Sequence, residues 1–404
     1  MKKIALLGLC CVVSLASVAQ ENVIKDVERQ LKAGAHNFPA AEAAIKPALE
    51  HEETKDSPKT WFLIGKGAFD YYDEQEGYKA IGKGVDESKI AQAIMNGYGY
   101  LINAMKRDSL PNAKGKIKPK YSKDVIKIIQ SHYNDFNTAG ANLWYAKDFN
   151  GAYEAWELYV TIPFDPVLGA NAPAAPHDTI ISNIFYNQAL AAWQAERYND
   201  ALNSFDKALA KGYNKKELYD YAISVAYSMG NTSRMAQYAE MAYPLYGAED
   251  NRYIGYMIND KIANKQFDEA QQMLETYIQA DPNNPQLYYV LGVLYDSQEE
   301  ADKAMVNYKK AIELDPNNAQ ALLQYGRQIC NKAYRLDDSL SGVSTPEYNK
   351  ARTEQIDPLF REAAQYLEKA YELDPENMDD ALRLLRNVYY NLNDQENLQR
   401  IESM

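Results

Sequence analysis

A chain of 404 residues exceeds what one ordinary core organises, so it implies two or three domains or one extended repeat array. With 46% hydrophobic and 25% charged residues it is globular rather than disordered, and 56 acidic against 43 basic residues (net charge −13) argue against nucleic acid or an anionic membrane as the main partner. Tyrosine stands out, 33 against 10 Phe, supplying large rings that pack on one side and hydrogen-bond on the other.

Residues 1–19 read as an export signal: Met1-Lys2-Lys3 is the basic start, Ile4 to Val13 the apolar run, and Ser17-Val18-Ala19 a small-x-small cleavage site. Gln20 is then the mature N-terminus, and the expected location is the periplasm, or the inner side of an outer membrane. Cys10 and Cys11 lack the small preceding residues that lipoprotein processing wants. No later stretch approaches the about 20 apolar residues of a membrane helix. Once the leader is removed only Cys330 remains, so no disulfide framework is expected and stability must come from packing.

Residues 20–166 read as degenerate helical repeats. Ala41, Ile45 and Ala48 mark one apolar helix face, and Trp61-Phe62-Leu63-Ile64-Gly65 opens the next unit. The stretch 73–88 reads as an insertion interrupting that unit, and 111–123, Lys-rich with Pro111 and Pro119, as a loop. Residues 133–166 carry Phe136, Gly140, Ala152 and Trp156. Pro163, Pro166, Pro173 and Pro176 then punctuate a loop over 163–178, and a Pro/Ala-rich linker, 167–181, separates the first part from an array over 182–404.

Within the array, 182–215 carries Phe185, Ala189, Ala201, Phe205 and Ala208; 216–249 is degenerate, with Met235 in place of Ala; 251–284 carries Ala270, Leu274 and Pro282. Residues 285–318 are the most regular, with Tyr288, Leu291, Gly292, Tyr295, Ala304, Tyr308, Ala311 and Pro316. The segment Ala-Ile-Glu-Leu-Asp-Pro-Asn-Asn from Ala311 returns as Ala-Tyr-Glu-Leu-Asp-Pro-Glu-Asn from Ala370, one period of 34 plus 25 residues later. An insertion over 335–358 therefore lies inside the unit 319–377, and 378–404 reads as a closing helix pair with a polar outer face.

The pattern W-x₂-L-G-x₂-Y, A-x₃-F-x₂-A, then P, recurring every 34 residues, resembles the tetratricopeptide repeat. The resemblance implies an all-α fold: a right-handed α-α superhelix of about eight helix-turn-helix units. It further implies that the first helices of successive units line a concave groove, with their second, fifth, ninth and twelfth places facing a ligand. Those places give Phe62, Lys66, Phe69, Asn137, Trp144 and Tyr186 in the first half. Trp193, Tyr227, Arg252, Asn259, Tyr289 and Arg327 follow.

Chemistry is sparse. His36, His51, His132 and His177 show no metal-ligand spacing, so neither metal nor cofactor is expected. Gly65-Lys66-Gly67 and Gly82-Lys83-Gly84 lack the phosphate-loop spacing and follow no strand. Cys330 sits mid-helix, where a packed thiol is the default. The expectation is a non-enzymatic scaffold or adaptor that binds a protein or extended peptide in its groove. The rival reading is a glycan binder using Trp and Tyr platforms, as helical-repeat carbohydrate binders do. The Lys and Asn set by which chaperone-binding relatives hold a C-terminal carboxylate is not matched.

Overall fold

The structure, a computed structural model, describes residues 20–111 and 115–403; the expected leader, 1–19, lies outside the described residues. Among the described residues all regular structure is helical. In chain order the helices are α1 (20–33), α2 (Phe38–Glu50), α3 (Pro58–Ala80), α4 (Glu87–Asp108), α5 (Ser122–His132), α6 (Asp135–Tyr145), α7 (Phe149–Thr161), α8 (Asp178–Gln194), α9 (Tyr198–Ala210) and α10 (Lys216–Ser228). They continue with α11 (Thr232–Tyr246), α12 (Arg252–Ala263), α13 (Phe267–Ala280), α14 (Pro285–Ser297), α15 (Ala301–Leu314), α16 (Ala319–Ser339), α17 (Thr345–Ala351), α18 (Asp357–Leu373), α19 (Asp379–Asn391) and α20 (Gln395–Glu402).

Six of the helix pairs are tight hairpins whose turns are built the same way. Lys147, Glu196, Lys265, Glu299 and Asn393 hold φ between 53° and 62°, and Gly230 holds φ 65°, each in the short turn between the two helices of a pair. The turn of α14–α15 shows why. Glu299 N–H donates to the carbonyl of Asp296 and Glu300 N–H to that of Tyr295, so the left-handed residue satisfies carbonyls the helix end would leave open. Asn and Asp caps start the helices: Asp148 accepts from Gly151 N–H, Asn231 from Arg234 N–H and Asn318 from Ala321 N–H.

Inside a hairpin, small residues of the first helix receive a ring or branched chain of the second. A Cβ added to Gly292 would lie 2.5 Å from Tyr308 Cε1, and one on Gly140 2.5 Å from Trp156 Nε1. Both pairs are sixteen residues apart in sequence. A Cβ on Gly326 would lie 2.8 Å from Leu367 Cγ, the same relation lengthened by the 25 inserted residues.

The chain divides into two compact units at Val225/Ala226. In the first unit, Val27, Phe38, Ile45, Ile64 and Ala68 form a core between α1, α2 and α3, and α3 and α4 make a long hairpin. In the second, the core of α15, α16, α18 and α19 runs from Ala304 and Tyr308 through Ile329 and Phe360 to Leu385, with Ile401 of α20 closing it.

Three sequence-based boundaries differ from this arrangement. The stretch 167–181 lies inside the first unit rather than separating two units. Leu168 is buried there, and Asp165 accepts from Tyr98 Oη at 2.5 Å, so the prolines bend a packed connection rather than free a linker. Residues 73–80 continue α3 instead of interrupting the unit, leaving only 81–86 as loop; their Asp, Glu, Gln, Lys and Ala sustain a helix despite Gly77. The insertion over 335–358 is also mostly helical: α16 runs on to Ser339, a Ser344–Glu347 capping box starts α17, and a π-helical turn, Arg352–Ile356, leads into α18.

Candidate functional site

An aromatic band of the first unit is built mainly on the first helices of its repeats. On α8, Tyr186 stacks on Tyr213 with ring centroids 4.5 Å apart and planes within 12°, and its other neighbours are Phe205 and Tyr221 of α10. Trp193, two turns further along α8, lies 5.6 Å from Tyr221. Leu190 shares that helical face by spacing, and with Asn187 it borders a hollow of about 170 Å³ whose other walls are Ala141, Trp144 and Tyr145 of α6 and Trp156 of α7. Trp144 packs edge-on against Phe149, and Tyr145 is 82% exposed. Burial, reinforced by Tyr213 and Tyr221, raises the pKa of Tyr186, so its phenol stays protonated and able to donate at neutral pH.

Other sequence-derived candidates of this unit behave differently. Phe69 is corrected from groove to core: it is 2% exposed and packs 5.0 Å from His132, because the side-chain phase along the long α3 points it at α4 and α5. Asn137 is half-buried and its carbonyl oxygen accepts from the Trp156 indole at 3.1 Å, so it orients a ring of the hollow. Phe62 and Lys66 lie on α3, away from this band, Phe62 against Tyr121 and Lys66 paired to Asp70.

In the second unit Tyr227 is 73% exposed and Asn259 is exposed. Arg252 is held by Asp250 at 2.5 and 2.8 Å, and Arg327 donates to Asp380 at 2.7 Å. Arg383, with Arg327, keeps the Asp380 carboxyl below its ordinary pKa, so that pair persists through mildly acidic pH. Tyr289 is half-buried against Tyr308 at 6.0 Å. Of this unit's candidates, the two arginines are thus ion-paired, Tyr289 is half-buried, and Tyr227 and Asn259 stand open.

Family comparisons fit this hairpin geometry. The tetratricopeptide-repeat model matches residues 285–318, and a second model of the same repeat matches 186–247. The chain carries tetratricopeptide repeats over these residues. The second match contains Tyr186, Trp193 and Tyr221. Residues of this chain are 32% identical to human (Homo sapiens) E3 SUMO-protein ligase RanBP2 over 66 residues, which is 16% of this chain and 2% of that protein's length. Among solved structures, the chain is similar to YrrB, described as a TPR protein with an unusual peptide-binding site (18% identity, 50% of this chain and 96% of that one, TM-score 0.32). It is also similar to a TPR repeats protein from Bacteroides fragilis (18% identity, 64% and 98%, TM-score 0.33).

Within the repeat frame, two residues that sequence reasoning missed complete the band. Tyr213 occupies the thirty-second place of 182–215, where Pro316 and Pro282 stand in later repeats. An aromatic ring at a helix-stopping place was the available signal, and it is this ring on which Tyr186 stacks. Tyr221 lies one turn beyond the second place of its repeat and was lost with that repeat's degenerate pattern. Among the described residues no helix is long and apolar enough to cross a membrane. Tetratricopeptide repeats serve protein–protein interaction, and a scaffold role in that general sense follows from the family.

Proposed function

We propose that this protein is an exported bacterial adaptor whose aromatic band on α6, α8 and α10 grips an extended segment of a protein partner. The observation that carries the reading is the run of rings on successive first helices, Trp144 and Tyr145, then Tyr186 and Trp193, then Tyr221. Such rings bury large apolar area with little loss of rotamer freedom and keep a polar edge for main-chain groups. Asn187 beside the hollow adds an amide that can pair with a peptide backbone. Export to the cell envelope rests on the leader-like residues 1–19.

The test is photo-crosslinking in intact cells from a benzoylphenylalanine at Tyr221, with Trp193→Ala and Trp144→Ala as controls. Capture of one envelope protein, lost in both variants while helicity is retained, is the expected result. If no protein is captured and the same variants instead abolish binding on a glycan array, the band is a sugar platform and the peptide reading falls.

A further inference from the structure

A second cavity of the first unit, about 430 Å³, lies between α1 and α3, under the residue that precedes α5. Its volume falls within the range of about 300–1,000 Å³ typical of small-ligand sites. Leu31, Leu63 and the backbone at Gly67 form an apolar floor. A Cβ on Gly67 would lie 2.9 Å from Leu31 Cδ1, so the missing side chain lets α1 settle on α3. Phe62 and Tyr121, 4.8 Å apart, make one wall.

The rim is cationic in a protein that is otherwise strongly acidic. Lys32, Lys59 and Lys66 border the cavity, and Lys120 Nζ sits 5.5 Å from the Tyr121 ring. Two carboxylates, Glu28 and Asp70, stand against the three bordering ammonium groups, Lys32, Lys59 and Lys66. Glu28 accepts from Lys32 at 2.8 Å and Lys59 at 2.7 Å, and Asp70 accepts from Lys66 at 2.5 Å. The Lys66–Asp70 pair is exposed and within one helix, a kind of pair that exchanges partners at little cost.

Tyr121 is held in place rather than draped. Asp108, 6% exposed, accepts from the N–H groups of Lys120, Tyr121 and Ser122 and from Ser122 Oγ, all at 2.7 to 2.8 Å. Lys120, Tyr121 and Ser122 are thereby tied to the end of α4, and the ring wall is fixed before any ligand arrives. A preformed apolar cavity with excess positive charge at its mouth selects for a body of hydrocarbon carrying one anion.

We propose that this cavity binds a small amphipathic carboxylate, its apolar body on Leu31, Leu63 and the Phe62–Tyr121 wall and its carboxylate replacing Asp70 on Lys66 within reach of Lys59. The proposal is independent of the peptide-binding band on α6 to α10, and the test keeps the two apart. Calorimetric titration of the full chain with octanoate and with octan-1-ol, which share the tail and differ in the head, reads the site directly. Octanoate is expected to bind one per chain, and octanol about tenfold more weakly or worse. The double variant Lys59→Gln/Lys66→Gln, both at exposed positions, should lose about tenfold for octanoate while leaving octanol unchanged. Tyr121→Ala should weaken both, and Trp193→Ala neither. Equal binding of octanoate and octanol, undiminished octanoate binding in the double variant, or no heat with millimolar octanoate would each overturn it.

Discussion

Gly292 and Tyr308 show how one residue choice fixes a repeat. The phenol ring lies where a Cβ on Gly292 would be, at 2.5 and 2.6 Å, and both the ring and the neighbouring Ala304 are buried. Gly292→Ala should therefore destabilise by about 1–3 kcal/mol through overpacking, read as a lower urea midpoint with unchanged slope. Gly255, in the interior of α12, has nothing within 4 Å of its would-be Cβ. Gly255→Ala should instead stabilise by about 0.5–1 kcal/mol, because alanine has the better helix propensity and restricts the unfolded chain. Equal effects of the two substitutions would show that the close contact is not what matters at Gly292. Both glycines are plain in the sequence, but only the repeat phase tells them apart: Gly292 occupies the eighth place, opposite the aromatic twenty-fourth. Cys330, read as a packed thiol, is buried, and burial pushes its pKa up to about 12, so it is a poor nucleophile.

His132 was not legible as anything but a lone histidine, since apart from Asp135, three residues on, its neighbours Phe69, Tyr72 and Asp73 come from a helix far earlier in sequence. It lies between Phe69 and Tyr72 of α3, with Nδ1 2.8 Å from Asp135 and Nε2 3.8 Å from Asp73. Burial alone would lower its pKa, but the Asp135 hydrogen bond and the charges of Asp73 and Asp70 outweigh it and raise it above 6.5. The folded state thus favours the imidazolium. Its contribution is complete below pH 6.5 and is lost as pH rises through the folded pKa. The stability difference between wild type and His132→Gln, measured by urea unfolding over a pH series, should shrink toward alkaline pH; a difference that grows with pH would refute the pairing.

At the scale of elements, the hairpin turns and the Asp108 loop separate what a repeat pattern discloses from what it hides. From 182 to 318 the left-handed turn residue recurs at the fifteenth place of each unit (Glu196, Gly230, Lys265, Glu299), and a small residue faces a ring in 182–215 and 285–318, though Ile223 and Ala239 replace them in 216–249. The lengths of the inserted helices do not follow the repeat phase. Residues 73–80 and 335–339 merely extend existing helices, which periodicity shared with their neighbours makes indistinguishable from repeat body. At the turns, Glu299 holds φ 62°, a conformation that costs a side-chain residue roughly 1–2 kcal/mol. Glu299→Gly should recover about 0.5–1 kcal/mol after the added chain entropy of glycine is subtracted, a gain visible in the thermal midpoint. Asp108 looks in sequence like one more charge at a helix end, yet it gathers three backbone N–H groups from a loop 12 to 14 residues ahead. Burial alone would raise its pKa, but those donors outweigh it and hold the pKa below 3.8, so its contribution is present above that value and fades as pH falls through the folded pKa. Asp108→Asn, which cannot accept from all of them, should cost about 1–3 kcal/mol at neutral pH and speed hydrogen exchange at the amides of Lys120, Tyr121 and Ser122.

For the molecule as a whole, the decisive property is that a repeat shares its core only with its neighbours. Phe360, Leu367, Leu385 and Val388 belong to one buried cluster that ends at Ile401, while Phe38, Ile45 and Ile64 belong to another. In such an array a lost contact lowers the stability of the repeats beside it first, and the effect fades along the chain. Leu385→Ala empties space in the last shared core and should cost about 2–5 kcal/mol locally. Hydrogen exchange followed by mass spectrometry should then show faster exchange in α16, α18 and α19, with α3 and α4 keeping wild-type protection. The reciprocal change, Ile64→Ala, should loosen α2 to α4 and leave α18 and α19 protected. If either substitution lowered protection evenly from α3 to α19, the chain would unfold as a single cooperative body. The aromatic band could then no longer be adjusted without disturbing the closing helices. If the effects stay local, each recognition surface rests on its own few repeats, and variants at Trp193 or Lys66 report on binding rather than on the integrity of the whole.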